Sequence, residues 1–235
     1  MNVLTPDQIA AAFIASCRDE IEAPKPGNVH AFAGGHAMEA RHFVDSARVA
    51  APAIAASGAR IGTRIRKSVE ATFAEVDMNT NLGIILLCAP LAYAAQLPST
   101  DLHAALARAV RGLDAQDAAD VYGAIAEASP GGLGRAARHD VGGEAPSSLI
   151  EAMREAAERD MIARQYVTDF ADIFGTGLSM VEQIRSRQGD SIALAVYLTF
   201  LSRFPDTHIV RKHGASVAET VMQDAQAFAA RVQGE

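Results

Sequence analysis

The chain contains no tryptophan, two cysteines and only 6% aromatic residues. Cys17 and Cys88 are too few for a disulfide framework and sit in apolar helical context, which reads as buried free thiols. Paired Cys-x-x-Cys and His-x-Glu-x-x-His patterns are missing, which removes the usual zinc sites. There is no Gly-x-Ser-x-Gly elbow, and Cys17 has no partner nearby in sequence, so covalent catalysis is disfavoured. Positive charge is also in short supply. A net charge of -7 argues against nucleic acid or an anionic membrane as a partner, while leaving room for a local cationic pocket. The longest apolar run, "GIILLCAPLAYAA", is too short to span a bilayer, and the opening "MNVLTPDQIA" lacks the regions of a signal peptide, so a cytoplasmic protein is expected.

Strand-like alternation is absent too, and what fills its place is helical periodicity. Apolar residues recur at helical spacing from Ile9 to Ile21 and from Phe43 to Ile54, where Pro52 predicts a kink or a break. Further segments are expected at about 60–76, 81–96, 100–110, 115–128, 147–166, 168–186, 190–203 and 214–232. Roughly one residue in five is alanine, well above ordinary usage, and small side chains let helix axes approach closely. With 235 residues, 49% of them hydrophobic, the expectation is one all-α domain over residues 1–235, a single compact multi-helix bundle. Its core is expected around Ile84, Ile85, Leu86, Ile192 and Leu194.

The breaks between helices hold most of the chemically capable side chains. In "KPGNVHAFAGGH", Pro24 and Pro26 stiffen the chain around Lys25, and Gly27 allows close approach to an anion beside Asn28. In "DMNTNLG", Asp77, Asn79, Thr80 and Asn81 precede a strongly apolar helix. One of them suffices as a cap, and the surplus suits an anion at the helix N-terminus. Gly131 and Gly132 in "SPGGLG" resemble a phosphate-cradling run without the Gly-Lys-Ser/Thr ending of a P-loop. "FPDTHIVRKHG" gathers Asp206, Thr207, His208, Arg211, Lys212 and His213. It reads either as a solvated charged turn or as a site for a metal-nucleotide. Helical spacing puts Asp160, Arg164 and Val167 on one face, with Asp160 either ion-paired to Arg164 or aimed inward as a metal ligand or base.

Taken in order, "KPGNVH", "NTNLG", "GGLG" followed by "HDV", "ERDMIARQY" and "DTHIVRKHG" resemble the motif succession of the triphosphoribosyl-dephospho-CoA synthase family, over roughly residues 9 to 230. The resemblance implies an all-helical enzyme that uses ATP and 3′-dephospho-CoA to make the precursor of a phosphoribosyl-dephospho-CoA prosthetic group, releasing adenine. Three positions depart from that pattern. "NTNLG" stands where the branch serving citrate and malonate decarboxylation reads Asn-Thr-His-Lys-Gly, "RKHG" stands where it ends in Arg-Gly-Gly, and Ala37 stands where the family often has Asp. The forms seen here resemble a divergent branch of archaea and one-carbon-metabolising bacteria, which implies a role in making a specialised one-carbon cofactor.

Displacing adenine from the ribose of ATP develops positive charge on the sugar and negative charge on the purine, so the site needs cations with Mg²⁺ for the triphosphate, a carboxylate, and a proton donor for the leaving base. Under the resemblance Lys25, Arg211 and Lys212 serve the phosphates, Asp160 and Asp206 bind the metal or act as base, and His208 or His213 protonates the purine. The nucleotide-binding set is completed by Gly27, Asn28, Asn79, Thr80, Asn81, Gly131 and Gly132. Partners are small-molecule nucleotides, with a homo-oligomer left open. Two other readings of the same residues are a metal-dependent helical hydrolase of an N-glycosidic or phosphate bond, and a helical protein that binds nucleotide without turnover.

Overall fold

The computed structural model describes residues 3–31, 38–129, 143, 145, 148–185 and 191–233, and everything below concerns these. They form α-helices and no sheet: α1 Pro6–Glu22, α2 Ala40–Ala55, α3 Ile61–Val76, α4 Leu82–Ala95, α5 Leu102–Arg111, α6 Ala115–Ala128, α7 Leu149–Ala156, α8 Met161–Val167, α9 Leu178–Ile184, α10 Ile192–Arg203, α11 Thr207–His213 and α12 Ala215–Gln233. One π-helical turn, Ile173–Gly177, runs directly into α9. No described helix is long and apolar enough to cross a membrane.

The start of α1 is set locally. Thr5 and Gln8 form a reciprocal capping box and Pro6 occupies the first turn, where its missing N–H costs nothing. Ile9, Phe13, Cys17 and Ile21 then repeat every four residues and make the buried stripe of this helix. Pro24 ends it, since the residue before a proline is pushed out of helical geometry. Against α1 lies α2, whose inner face is Ala47, Ala50, Ala51 and Ile54. The helix continues through Pro52 to Ala55 rather than breaking there; the proline falls so near the end that few helical bonds remain to be lost.

α4 is apolar on every side, the mark of a helix surrounded by protein, and Ile85, Leu86 and Ala89 are sealed between α2, α3, α5 and α8. Tyr166 on α8 is buried as well and donates its phenol O–H to the Leu86 carbonyl at 2.7 Å, pinning α8 to α4. α3 and α6 touch backbone to backbone. A Cβ placed on Gly62 would stand 2.6 Å from the Asp117 Cα, and the Gly62 N–H donates to Asp117 Oδ1 at 2.8 Å.

The C-terminal part departs from the sequence expectations in three ways. The helix expected over 147–166 is two, α7 and α8, separated at Asp160. The "FPDTHIVRKHG" segment, expected as a break, contains the short helix α11. Ile192 is 40% exposed and Leu194 only partly buried, so these two do not join Ile85 and Leu86 in the core, and Ile84 packs at its margin. α10 lies against α12, with a smaller contact to α1, and α11 also rests on α12. Between α8 and the π-helical turn the chain reverses through Asp169 and Phe170, both at positive φ (53° and 62°), although neither is glycine. The turn is held from outside: Asp169 is paired to Arg111 at 3.1 Å, and its carbonyl lies 2.6 Å from His103 Nε2.

Candidate functional site

Asp160 is the N-cap of α8. One carboxylate oxygen accepts the N–H groups of Ile162 and Ala163 at 2.9 and 3.0 Å, and the other accepts Arg211 Nη1 at 2.8 Å. The pair with Arg164, one of the two arrangements the sequence allowed, is therefore not formed. The chain is non-helical at Asp160, and Arg164 instead reaches Asp172 at 2.9 Å. Asp206 repeats the capping device on α11: Oδ1 accepts His208 N–H at 2.7 Å and Ile209 N–H at 3.2 Å, and no described residue donates to Oδ2. Arg211, one turn along α11, also lies 3.5 Å from His208 Nδ1. The start of α8 is thus tied to the last turn of α11 by the Asp160–Arg211 bridge, whose side chains are about one quarter exposed (25% and 24%).

Beside this bridge is a cleft of about 250 Å³, bounded by Met161, Ile162 and Gln165 of α8, Leu87 of α4, Tyr197 and Phe200 of α10, and the Phe204–Thr207 stretch that carries Asp206. The first turn of α4 closes against the same wall, since a Cβ on Gly83 would come within 3.1 Å of Ile162 Cδ1. Here Asn79 caps α4 through the Leu82 N–H at 3.2 Å, Thr80 donates to Ser46 at 2.6 Å, and buried Asn81 accepts from Thr72 at 3.2 Å. The opening loop is attached as well: Tyr197 donates its O–H to the Pro26 carbonyl at 2.6 Å. Burial first, and the Asp206 carboxylate second, raise the Tyr197 phenol above its ordinary pKa, so it stays protonated and keeps that bond.

The loop geometry differs from a free phosphate-binding lysine. Lys25 is 3% exposed, and its ammonium donates to the Glu20 carbonyl and, at 2.5 Å, to the Glu20 carboxylate at the end of α1. Gly27 takes the positive φ (82°) that turns the chain after Pro26, and Asn28 is exposed. His208, Lys212 and His213 are exposed on α11. Gly131 and Gly132 lie outside the described residues. Asp160, Asp206, Arg211 and His208 are therefore grouped at the cleft, Asn79, Thr80 and Asn81 lie at the adjoining start of α4, and the Lys25 side chain is turned into the protein.

Asn81 Nδ2, Gln165 Oε1 and Arg211 Nε are buried with no hydrogen-bond partner among the described residues, and interiors rarely leave such groups unsatisfied. Gln165, Asp172 and Tyr197 were not distinguishable in sequence; a neutral amide or a phenol in an apolar helix has no pattern of its own. No group of three or more His, Cys, Asp or Glu side chains able to hold a metal occurs among the described residues. A second cleft, about 380 Å³, lies between α3, α4 and α5, but its Arg60 is committed to Asp114 and to Asp117 at 3.0 Å, a lock between α3 and α6.

Comparison with known proteins places this geometry. The fold matches the crystal structure of a candidate triphosphoribosyl-dephospho-CoA synthase from Archaeoglobus fulgidus with a TM-score of 0.60, covering 77% of this chain and 80% of that one at 24% identity. No protein of curated function matches the sequence. The sequence profile of the ATP:dephospho-CoA triphosphoribosyl transferases matches residues 6–235, and the chain belongs to that family of enzymes.

Proposed function

We propose that the chain transfers the triphosphoribosyl group of ATP to the hydroxyl of 3′-dephospho-CoA or a closely related acceptor, with release of adenine. The observation that carries this reading is the Asp160–Arg211 bridge between α8 and α11, beside an otherwise apolar cleft that Asp206 lines. Such a cleft suits a nucleobase, and the charged rim suits its phosphates.

Arg211 is the phosphate-binding cation, kept in place by Asp160, and Lys212 extends the positive charge toward solvent. With both of its oxygens engaged, Asp160 acts as a positioning residue. Asp206 has an uncommitted oxygen, and Mg²⁺ held by phosphates needs only one or two protein carboxylates, so Asp206 fits a metal that arrives with the triphosphate. That ion would neutralise phosphate charge. His208, on the same short helix as Arg211, is the donor for the departing purine, with His213 one turn and a half further on. Asn79, Thr80 and Asn81 border the site from α4. Lys25 stabilises the loop through Glu20 and joins the site only if nucleotide draws it away. We place the reaction in the cytoplasm.

The test is mass spectrometry of products from ATP and dephospho-CoA, with adenine quantified. Acceptor-dependent adenine release and a triphosphoribosylated acceptor are expected. Adenine released at the same rate without acceptor would instead establish a hydrolase, and binding without any release would leave a nucleotide-binding protein.

A further inference from the structure

Gln165 stands in the wall of the cleft and is 3% exposed. Its Nε2 donates to the Met161 carbonyl at 3.3 Å and to Asp172 Oδ2 at 2.9 Å. A carbonyl and a carboxylate can only accept, so the amide has one orientation here, nitrogen toward Met161 and Asp172. Arg164 at 2.9 Å keeps Asp172 in place. The consequence falls on the other side of the amide, where Oε1 is buried and accepts from no described residue. A buried acceptor at a cleft calls for a donor from whatever occupies it.

The remaining walls are apolar and partly aromatic, with Leu87, Ile162, Ile173 and Phe200 among them, and polar groups return at Tyr197, Asp206 and Thr207. At about 250 Å³ the space is smaller than a pocket that engulfs a whole drug-sized ligand, and it suits a single heterocycle whose substituents leave through the polar rim.

We infer that Gln165 Oε1 reads the 6-amino group of an adenine seated in this cleft, and that Asp172 is the positioning residue that fixes the amide in the adenine-accepting sense. The identity of the base rests on the transferase reading above. A 6-oxo purine such as hypoxanthine would put an acceptor against an acceptor. ATP and dephospho-CoA both carry the 6-amino group, and the experiment separates them.

The full-length protein is titrated calorimetrically with ATP, ITP and dephospho-CoA, each alone in buffer containing Mg²⁺, for wild type, Gln165→Met and Asp172→Ala, with thermal melting of each. Losing one hydrogen bond to a buried acceptor is expected to weaken the seated substrate by about tenfold or more in Gln165→Met. Whichever of ATP and dephospho-CoA loses affinity is the one whose adenine occupies the cleft. If it is ATP, wild type prefers ATP over ITP by a similar factor, and Asp172→Ala, which removes the carboxylate that orients the Gln165 amide, brings the ratio toward one. Should Gln165→Met fail to fold, the effect of Asp172→Ala on the seated ligand decides alone. Unchanged affinity of both adenine ligands in the folded variants overturns the base-reading role while leaving the transferase reading intact. Absence of binding by any of the three ligands to folded wild type overturns the transferase reading and the adenine seat together.

Discussion

Asp160 does two things that substitution can separate. It caps α8 through two N–H bonds and it holds Arg211 at 2.8 Å. Asparagine keeps an oxygen for the cap but turns an N–H₂ toward the guanidinium, whereas alanine removes both functions. A lost cap costs about 1 kcal/mol. The ion pair, with each side chain about one quarter exposed, belongs between an exposed pair at about 0–1 kcal/mol and a buried one at about 3–5, so about 1–2 is reasonable. Asp160→Asn should therefore cost about 1–2 kcal/mol and Asp160→Ala about 2–3. In a chain of this size 1 kcal/mol lowers Tm by about 2–4 °C, so the two melting curves should be resolvable. Catalysis should follow the other function. Both variants release Arg211 and should lower kcat/KM for ATP by about 10–100-fold, to similar extents. Adenine release measured at varied ATP, beside thermal unfolding, gives both quantities. If Asp160→Ala is no less stable than Asp160→Asn, the cap does not operate as described; if neither changes kcat/KM, Arg211 does not bind the transferred nucleotide.

Gly62→Ala should destabilise by about 2–4 kcal/mol despite a better helix propensity, because its Cβ would meet the Asp117 backbone, which cannot move without parting α3 from α6. Gly123→Ala is the milder comparison: its Cβ would meet only the far end of Arg66, which can shift at the expense of its ion pairs with Glu70 and Glu127, so urea unfolding should show a loss of about 1 kcal/mol. Arg64 is buried and donates to the Ile54 and Ala59 carbonyls and to Gln96, tying the end of α2 to α4. Arg64→Met should cost about 3–5 kcal/mol in urea unfolding by stranding those acceptors, and a loss below about 1 would contradict the clamp. Burial pushes the Cys17 and Cys88 thiols up to about 12. Below about pH 9 both states keep their protons; above it only the unfolded chain ionises, so stability should fall as pH rises from about 9 toward 12. The urea midpoint should drop between pH 8 and pH 10, and an undiminished drop in the Cys17→Ala/Cys88→Ala double variant would assign it elsewhere.

The helices were legible wherever an apolar stripe of regular period met a punctuating residue, as in α1 between Thr5 and Pro24 or α6 after Asp114. What escaped sequence reasoning was tertiary in origin. Nothing in Ala156, Ala157, Glu158 and Arg159 forbids helix; the division between α7 and α8 becomes visible only when Asp160 is seen to cap one helix and bind another. α11 was hidden because Pro205 and Gly214 leave room for only two turns, although Asp206 directly after a proline is a cap signal. The burial of Lys25 depends on Glu20, which lies on the far side of the Pro24 break, so no periodicity connects them. Of the candidate site, the charged members were proposed because charged side chains clustered at helix breaks stand out in a sequence. Gln165 was passed over inside "ERDMIARQY", since an amide acquires meaning only from what its two ends touch.

The π-helical turn at Ile173–Gly177 has a consequence for how the length of this chain can change. A π turn carries an extra residue, and successive residues of an α-helix are about 100° apart around the axis. A π turn closes one residue later than an α turn yet ends at about the same angle, so deleting one residue there would relax the turn to ordinary helix and leave everything downstream facing as before, including Gly177, where an added Cβ would stand 3.4 Å from the Phe200 ring. A deletion in the α-helical turns that follow would instead swing the downstream face by about 100°, and the reversal at Asp169 and Phe170, clamped by α5, cannot absorb that rotation. The π turn is therefore the place where this part of the chain can lose a residue, and the helix after it is where it cannot.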